Sequence, residues 1–449
     1  MSNYRYPKGI TPLQLFTRSL RLLRYPIHTI SDNMKHFGGT YAAPMGKHKI
    51  IVTQDPEFID YILRKNHKNY DKSKILTSTL AKYIGHGLLT ATGSHWLKQR
   101  KLIQPGFHIR KIKALYQIVQ DTVDRSLTNF PTGSEIDIYP LMNQLAFDIV
   151  INSLFNVSIP KEKMRELGEF ISDIQGFVVK EVRVPFFTWW SRILGTNKKY
   201  LKQAQASREI IRTIIRARKE SQETHNDLLD MLLSIRYEDT GQGMDEEQLI
   251  DEILILVVAG HETTANALSW TLYLLANHPD KLIKLQQETA DLSIEETVKH
   301  PYLNAVIKES MRRYPPAWIS DRVALTDDTF KEYSYEKGTM IAPFFYGVHH
   351  DANLWTNPED FDPERFMPAR EKEMNSIAYH PFGAGPRSCI GNHFAMAEMA
   401  LFLKTFIQQF DITATEQEPM MIALITLRPD RVLLKVKTRC SLPDGFARL

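Results

Sequence analysis

The residue best placed for metal chemistry is Cys389, which lies in a glycine-rich segment just ahead of a helix predicted over 392–410. A helix N-terminus carries partial positive charge and free N–H groups, and both lower the pKa of a thiol. Gly383 and Gly391 lack a Cβ and let a large flat group approach the backbone. Arg387 adds a fixed cation suited to a carboxylate. These residue types at this spacing predict a haem site with the cysteine sulfur as axial iron ligand.

A second group of reactive residues lies in the middle of a long apolar helix predicted over 245–277. The small side chain of Ala259 leaves room for a flat ligand against this helix. Thr263 follows four residues later, so its hydroxyl can bond the Ala259 carbonyl and open the helix locally. Glu262 is an acid among apolar neighbours, which is costly unless the carboxylate is paired or used. A carboxylate and a hydroxyl beside a groove predict delivery of protons to a reacting oxygen.

These residues belong to two motifs that resemble those of the cytochrome P450 family. The segment 382–391 matches F-x-x-G-x-R-x-C-x-G, with Phe382 as an aromatic lid, and the segment 259–264 resembles A/G-G-x-D/E-T-T. The resemblance extends over nearly the whole chain. It implies a mainly α fold with small β-sheets (α+β), in which the long central helix crosses the molecule over a buried haem. It also implies haem b as cofactor and O2 as co-substrate.

Three further residues resemble the Glu-Arg-Arg triad of the same family. Glu309 and Arg312 are three residues apart on a predicted helix and share one of its faces. Such a pair is common on surface helices and carries little information alone. It gains meaning because Tyr314-Pro315-Pro316 follows, and because Arg365 lies in a Pro-Glu-Arg-Phe segment ahead of the cysteine. The resemblance gives the triad a structural role, the locking of the cysteine loop on the proximal side of the haem.

The haem propionates are expected to contact a separate set of residues. Trp96 and Arg100 resemble the family's W-x-x-x-R, and their spacing places both on one helix face. Arg322, which follows the Pro-Pro turn, is a further candidate together with Arg387. Three arginines for two carboxylates is a plausible match of charge.

The substrate pocket is expected, from the resemblance, to be lined by apolar residues from several segments. The candidates are Leu88, Ile255, Ala259, Trp318, Ile319, Leu424 and Ile425. Such a lining suits a fatty acid, a terpenoid or another lipophilic molecule. The aromatic run 186–190, with Lys180, Glu181 and Arg183 nearby, supports an alternative, a small O-methylated polar compound such as a methyl sugar.

The resemblance and the motifs together predict a haem-thiolate monooxygenase that hydroxylates a C–H bond. If the carbon is an ether methyl group, the product collapses and the outcome is O-demethylation with loss of formaldehyde. A peroxide-using peroxygenase and a thiolate-haem isomerase are alternatives on the same fold, but neither needs the proton-delivering pair Glu262 and Thr263. A haem carrier or gas sensor fits less well, because the sequence shows no second output domain.

Composition limits the other cofactors and the number of domains. The chain has 449 residues, is 43% hydrophobic and carries a formal net charge of +4. Its two cysteines, Cys389 and Cys440, leave no ligands for an iron–sulfur cluster, a cysteine-rich zinc site or a disulfide framework. Such cysteine usage suits a reducing compartment, and we expect a cytoplasmic monomer. No linker divides the chain, so one domain is expected over 1–449, with a basic entry segment over 1–34 and a catalytic body over 35–449.

The entry segment also bears on attachment to membranes. The first thirty-one residues contain no acid, and three arginines lie among leucines over 18–24. We interpret this part as a basic segment in solution, with a membrane-surface helix or an organellar transit peptide as alternatives. No stretch approaches about 18 consecutive apolar residues, so no transmembrane anchor is predicted.

A second acid-free stretch lies between Asp71 and Asp121. Its basic residues are Lys72, Lys74, Lys82, Lys98, Arg100, Lys101, Arg110, Lys111 and Lys113. A surface of one sign steers an oppositely charged partner. We expect a docking face for an acidic ferredoxin or flavodoxin, which would carry electrons from NAD(P)H by way of its reductase. Nucleic acid is not expected, because no recognition motif accompanies the charge.

Overall fold

The computed structural model describes residues 4–439, apart from residues 47, 157–160, 184–186, 188–190, 192 and 222. Its α-helices are Pro12–Arg24, Pro26–Phe37, Pro56–Asp60, Ala81–Ile84, Gly93–Ile103, Ile109–Ile112, Tyr116–Leu127, Ile138–Phe155, Lys161–Arg183, Thr196–Ser221, Leu228–Ser234, Glu246–Asn277, Pro279–Glu288, Ile294–Lys299, Pro301–Arg313, Phe345–His349, Pro368–Glu371 and Asn392–Gln409. Its strands are β1 (Thr40–Met45), β2 (His48–Thr53), β3 (Tyr70–Asp71), β4 (Gly133–Asp137), β5 (Arg322–Ala324), β6 (Asp328–Phe330), β7 (Tyr333–Tyr335), β8 (Met340–Pro343), β9 (Phe410–Ala414), β10 (Met421–Ala423), β11 (Leu427–Pro429) and β12 (Leu433–Thr438). The predicted fold class, mainly α with small sheets, is confirmed.

The long helix (Glu246–Asn277) forms the axis of the core. Asp245 caps its N-terminus by accepting the backbone N–H of Gln248, and the acids of the first turn complement the positive end of the helix dipole. The helix is buried over most of its length and packs along the helix Ile138–Phe155. It ends at His278, and a proline opens the next helix. The predicted bounds, 245–277, agree with these within one residue.

The largest sheet among the described residues has the strand order β1-β2-β8-β5-β3. Strand β2 runs parallel to β8, with Ile51 opposite Ile341, although they are far apart in the chain. Strand β3 runs antiparallel to β5, with Asp71 opposite Val323. This pairing matters for the site, because it brings the residue after β3 beside the start of β5. A second sheet has the order β4-β12-β9, and β6-β7 and β10-β11 are hairpins.

Three apolar runs in the last third of the chain, 319–324, 339–345 and 422–427, have the composition of strands, and the observed elements differ from that prediction. The strand expected over 422–427 is instead a hairpin, β10 and β11, closed where the Leu424 N–H donates to the Thr426 carbonyl. The strand expected over 319–324 is short, because only residues 322–324 pair in the sheet. The strand expected over 339–345 stops at Pro343, and the helix Phe345–His349 begins there. In each case the apolar pattern was present, but pairing partners set the length of the strand.

The entry segment contains an amphipathic helix, Pro12–Arg24, which Thr11 caps through a reciprocal contact with Gln14. None of its residues is buried, and Leu13, Phe16 and Leu20 are 72–79% exposed. All three interpretations of this segment, a basic segment in solution, a membrane-surface helix and an organellar transit peptide, therefore stay predictions. Among the described residues, no helix has the length and apolar character needed to cross a bilayer.

Candidate active site

The cysteine loop (382–391) is held by its own backbone and by close contact with the helical turn Tyr61–Lys65. The Cys389 N–H donates to the Phe382 carbonyl at 2.9 Å, which closes the loop. Gly385 has φ +70°, and an added Cβ would lie 1.8 Å from the Leu63 carbonyl oxygen, so only glycine fits there. Gly383 also has positive φ, but nothing lies within 4 Å of the place a Cβ would take. The loop therefore packs closely against Leu63 at Gly385, whereas it leaves free space beside Gly383.

The Cys389 side chain is accessible, yet enough protein surrounds the sulfur that burial raises the pKa of the thiol. The backbone N–H of Gly391 and the charge of Arg100 act in the opposite direction and are outweighed. The expectation that the helix N-terminus would give a lowered thiol pKa is therefore wrong for the protein alone. Desolvation is the physical reason, since it penalises the thiolate. A metal ion bound to sulfur deprotonates a thiol outright.

A cluster of buried and half-buried cations lies beside the loop. The Arg387 guanidinium stacks on the Trp96 ring at 4.1 Å, and it donates to the Ala91 carbonyl at 3.0 Å and to Asp71 at 2.7 Å. Burial lowers the pKa of Arg387 to about 10. Arg322 is also buried, and burial lowers its pKa as well. The structure thus brings together three of the four residues expected at the propionates.

Sequence reasoning missed a third cation of this cluster, Lys72. Its ammonium group donates to the Leu89 carbonyl at 2.5 Å. Burial, followed by the charges of Arg322 and Arg387, lowers the pKa of Lys72 to about 7. The ammonium group of Lys72 therefore belongs to this cluster, although the sequence predicts Lys72 on the docking face. No local feature separates it from the exposed lysines of that stretch, and the pairing of β3 with β5 decides its position.

Arg100 occupies a different place from the one expected. Its guanidinium donates to the Ser388 carbonyl at 2.9 Å and to the Gln104 side chain at 3.2 Å. Its pKa is lowered by burial, while the neighbouring Cys389 opposes that change. In this structure Arg100 supports the cysteine loop rather than joining the cluster around Arg387.

The middle of the long helix has the geometry expected from its motif. The Thr263 hydroxyl donates to the Ala259 carbonyl at 2.8 Å, and Glu262 is buried. Ala259 is exposed although most of the helix around it is buried, so it faces open space inside the fold. The next residue, Thr264, donates to Glu398 of the helix Asn392–Gln409 at 3.3 Å. This contact joins the long helix to the helix that follows the cysteine.

The three triad residues meet in a buried cluster. Arg312 donates two hydrogen bonds to the Glu309 carboxylate, at 2.7 and 2.8 Å, and Arg365 approaches the same carboxylate at 3.4 Å. A further N–H of Arg312 donates to the His349 carbonyl at 2.8 Å. The His349 ring in turn accepts the backbone N–H of His380 at 2.9 Å, two residues before the cysteine loop. A buried histidine therefore connects the triad to the loop, a link that sequence reasoning did not find.

The substrate candidates fall into two groups. Leu88, Ile319, Leu424 and Ile425 are partly exposed, as a pocket lining requires. Ile255 and Trp318 differ from the expectation, being 3% and 2% exposed. Trp318 packs edge-on against Phe344, and its indole N–H donates to the Leu424 carbonyl at 3.2 Å. It therefore holds the backbone of one pocket candidate, Leu424, from the protein interior. The aromatic run 186–190 lies outside the described residues except for Phe187.

These observations fit haem b. An accessible sulfur, an exposed alanine on the long helix and two glycines with no atom within 4 Å of an added Cβ, Gly383 and Gly391, leave room for a flat ring. The cations Lys72, Arg322 and Arg387 outnumber their acidic neighbours Asp71 and Asp321, which suits a group with two carboxylates. Cys389 would hold the iron, and the cation cluster would hold the propionates.

Comparison with known proteins gives the class and then the family. The fold and the surroundings of Cys389 fit a haem protein with thiolate ligation, and the cytochrome P450 family model matches residues 7–436. The chain therefore belongs to the cytochrome P450 family. It is a monooxygenase, an oxidoreductase that uses haem b and O2 and takes electrons of NAD(P)H through partner proteins.

Individual relatives are distant but cover most of the chain. A cyclooctat-9-en-7-ol 5-monooxygenase of Streptomyces melanosporofaciens is 29% identical over 88% of this chain and 87% of its own. An 11-oxo-beta-amyrin 30-oxidase of Glycyrrhiza uralensis is 29% identical over 90% of this chain and 79% of its own. The crystal structure of a cytochrome P450DA heme domain superposes with a TM-score of 0.86, at 20% identity over 97% of this chain and 98% of that one. That likeness establishes the fold.

Proposed function

We propose that this monooxygenase hydroxylates an unactivated C–H bond of a lipophilic organic molecule, with electrons from a separate ferredoxin- or flavodoxin-like protein. The observation that carries the proposal is the Thr263 hydroxyl at 2.8 Å from the carbonyl of Ala259, a residue that is exposed although most of the long helix around it is buried. Haem b supplies the activation of O2, and electron density from a thiolate ligand favours cleavage of the O–O bond. O-demethylation is the outcome if the hydroxylated carbon is an ether methyl.

The long helix supplies the proton chemistry in this proposal. Ala259 leaves space beside the helix, because any larger side chain would fill it. Thr263 holds a proton on a hydroxyl whose own hydrogen bond goes to the helix backbone, and the buried Glu262 next to it exchanges protons with that hydroxyl. A peroxygenase or an isomerase would have no use for this pair. Formation of product from H2O2 alone, at the rate seen with the complete electron supply, would favour the peroxygenase alternative.

The substrate class follows from the residues that face the pocket. Leu88, Ile319 and Ile425 are apolar and partly exposed. Of the polar groups proposed for a methyl sugar, Glu181 is already engaged, since it accepts the Tyr83 hydroxyl at 3.2 Å and the Asn197 amide at 3.4 Å. The relatives named above act on cyclooctat-9-en-7-ol and 11-oxo-beta-amyrin. We therefore place a terpenoid or fatty acid ahead of a polar methyl ether.

The docking face consists of the basic residues that remain exposed without a strong partner. Lys101, Arg110 and Lys111 are exposed. Lys98 and Lys113, by contrast, form ion pairs of 3.1 Å with acids elsewhere in the chain, which weakens their attraction for a partner. Lys101 lies on the helix Gly93–Ile103, whose Arg100 contacts the cysteine loop, and Arg110 and Lys111 follow that helix. A partner bound there would lie on the proximal side of the haem.

Two spectra test the proposal. The reduced protein under carbon monoxide should show the red-shifted Soret band of thiolate ligation, and Cys389→Ser should abolish it. Ferric protein should then be titrated with fatty acids, terpenoids and methyl ethers. A spectral shift with the lipophilic groups supports the substrate class, while a shift with polar methyl ethers alone would replace it with the sugar alternative.

A further inference from the structure

One loop next to the substrate candidates is fastened to the long helix by two neighbouring acids. The loop comprises residues 85–91 and contains Leu88. Asp251 accepts the His86 N–H at 2.6 Å, and Glu252 accepts the Leu88 N–H at 2.9 Å. Alternate backbone N–H groups of one loop therefore bind successive carboxylates of one helix. Both acids belong to a helix that is otherwise apolar at this level.

The loop lies so close to these acids that two of its positions need glycine. An added Cβ on Gly85 would lie 2.1 Å from an Asp251 oxygen, and one on Gly87 would lie 2.6 Å from a Glu252 oxygen. Gly85 also has φ +83°, whereas the backbone of Gly87 is open to any residue. At Gly87 the lack of a side chain is therefore explained by the closeness of Glu252.

The far end of the same loop is held by the cation cluster. Lys72 donates to the Leu89 carbonyl at 2.5 Å, and Arg387 donates to the Ala91 carbonyl at 3.0 Å. Between the two ends, the Thr90 hydroxyl donates to the Gly85 carbonyl at 2.7 Å and closes the loop on itself. Leu88 thus lies between an attachment to the long helix and an attachment to the residues proposed for the propionates.

Packing alone does not explain an acid at position 252. Glu252 is fully buried, and burial raises the pKa of its carboxyl to about 7. A leucine would fill the same space without that cost. Apart from Leu88, Glu252 accepts the Gln248 side-chain amide at 2.9 Å. Asp251 pairs with Arg208 of the helix Thr196–Ser221, so the attachment extends to a third element.

We propose that Asp251 and Glu252 are positioning residues that hold the 85–91 loop, and with it Leu88, as a fixed wall of the substrate pocket. The proposal rests on the proposed function, since it assumes that the substrate lies beside Leu88. It assigns the acids no part in the chemistry. They act through the two loop N–H groups that they bind.

Hydrogen exchange on the full chain tests the attachment without reference to activity. Glu252→Leu should speed exchange of the Leu88 amide by about tenfold, because the amide loses its acceptor. Glu252→Gln retains an acceptor oxygen and should stay within about twofold of the parent. Glu398→Leu replaces another fully buried acid of the long-helix interface and should leave the loop amides unchanged. Equal exchange in Glu252→Leu and the parent would overturn the proposal.

Binding of two azoles to the haem-loaded protein tests the wall. Imidazole is small, whereas the ring of 4-phenylimidazole reaches further into the pocket, and both ligate iron through nitrogen. Gly87→Ala should weaken the binding of 4-phenylimidazole by about fivefold or more, whereas the affinity for imidazole should stay within about twofold of the parent. Gly176→Ala adds a methyl group where nothing lies within 4 Å and serves as the control. If the ratio of the two dissociation constants in Gly87→Ala equals that of the parent, the 85–91 loop is not a wall of the substrate pocket.

The two arms separate the possible failures. If Glu252→Leu does not fold, Gly87→Ala still tests the position of the loop, because this variant leaves both acids in place. A parent protein that lacks the thiolate Soret band, but shows the expected exchange, would retain the attachment and remove the proposed function. A normal Soret band in the parent, together with loop exchange that Glu252→Leu does not alter, would retain the proposed function and remove the attachment.

Discussion

Replacing Arg312 with leucine should destabilise the protein far more than removing an exposed arginine from an ion pair. Arg312 and Glu309 are both fully buried, and two hydrogen bonds join them. Arg312 also donates to the carbonyls of His349 and Asp360, at 2.8 and 3.0 Å. Breaking a buried pair costs about 3–5 kcal/mol, and the buried His349 carbonyl left without a partner adds about 1 kcal/mol, whereas Asp360 is exposed and water can replace the lost donor. We therefore expect a loss of about 4–6 kcal/mol in the free energy of unfolding.

Urea unfolding followed by tryptophan fluorescence measures this loss. Arg21→Leu is the matched control, because Arg21 and Asp32 also form a pair at 2.8 Å but are both more than half exposed. That variant should lose less than about 1 kcal/mol. Arg312→Lys keeps the charge but not the two-pronged contact, so its loss should lie between the other two.

The link through His349 adds a second readout. Because Arg312 holds the His349 carbonyl and His349 holds the backbone just before the cysteine loop, Arg312→Leu should also release haem faster than Arg21→Leu does. If Arg312→Leu loses no more stability than Arg21→Leu, the buried cluster does not contribute as its geometry implies. If it loses stability but retains haem like the parent, the connection to the loop is wrong.

Three other outcomes are expected. Thr263→Ala should keep haem and substrate binding but divert O2 to peroxide, and equal product per NAD(P)H in variant and parent would contradict the proton role. Burial lowers the pKa of His261 to about 4. Since the unfolded chain binds this proton below about pH 6.5, His261 should cost about 2 kcal/mol of stability between pH 7 and pH 5, and His261→Gln should flatten that part of a urea-midpoint profile. Lys101→Glu should slow reduction by an acidic ferredoxin at low salt, whereas Lys435→Glu, an exposed lysine of β12, should not. A rate in Lys101→Glu that matches the control at every salt concentration would exclude that docking face.

The parts of the site that were predicted from the sequence depend on short spacings along the chain. Thr263 bonds the carbonyl four residues before it because the helix geometry requires that neighbourhood, whatever surrounds the helix. Glu309 and Arg312 pair for the same reason. The bounds of the long helix also follow from local signals, an acidic cap and a final proline.

Other predictions failed because the deciding partner is distant in the chain. The apolar run 422–427 has the composition of a strand, but a turn at Leu424 folds it into a hairpin. Trp318 looks like a pocket residue in the sequence and is instead packed against Phe344. The thiol pKa of Cys389 depends on how much protein surrounds the sulfur, and no spacing along the chain gives that quantity.

The sequence alone therefore predicted the chemistry available to this protein from a cysteine before a helix, a threonine four residues after an alanine, and a glutamate and an arginine three residues apart. Only the tertiary structure shows that Lys72 lies in the cation cluster and not on the docking face. It also shows that Asp251 and Glu252 bind the loop that contains Leu88. Hydrogen bonds within a helix turn are fixed by backbone geometry. Burial and long-range pairing depend on which distant segments pack together, and that is settled by the free energy of the whole fold.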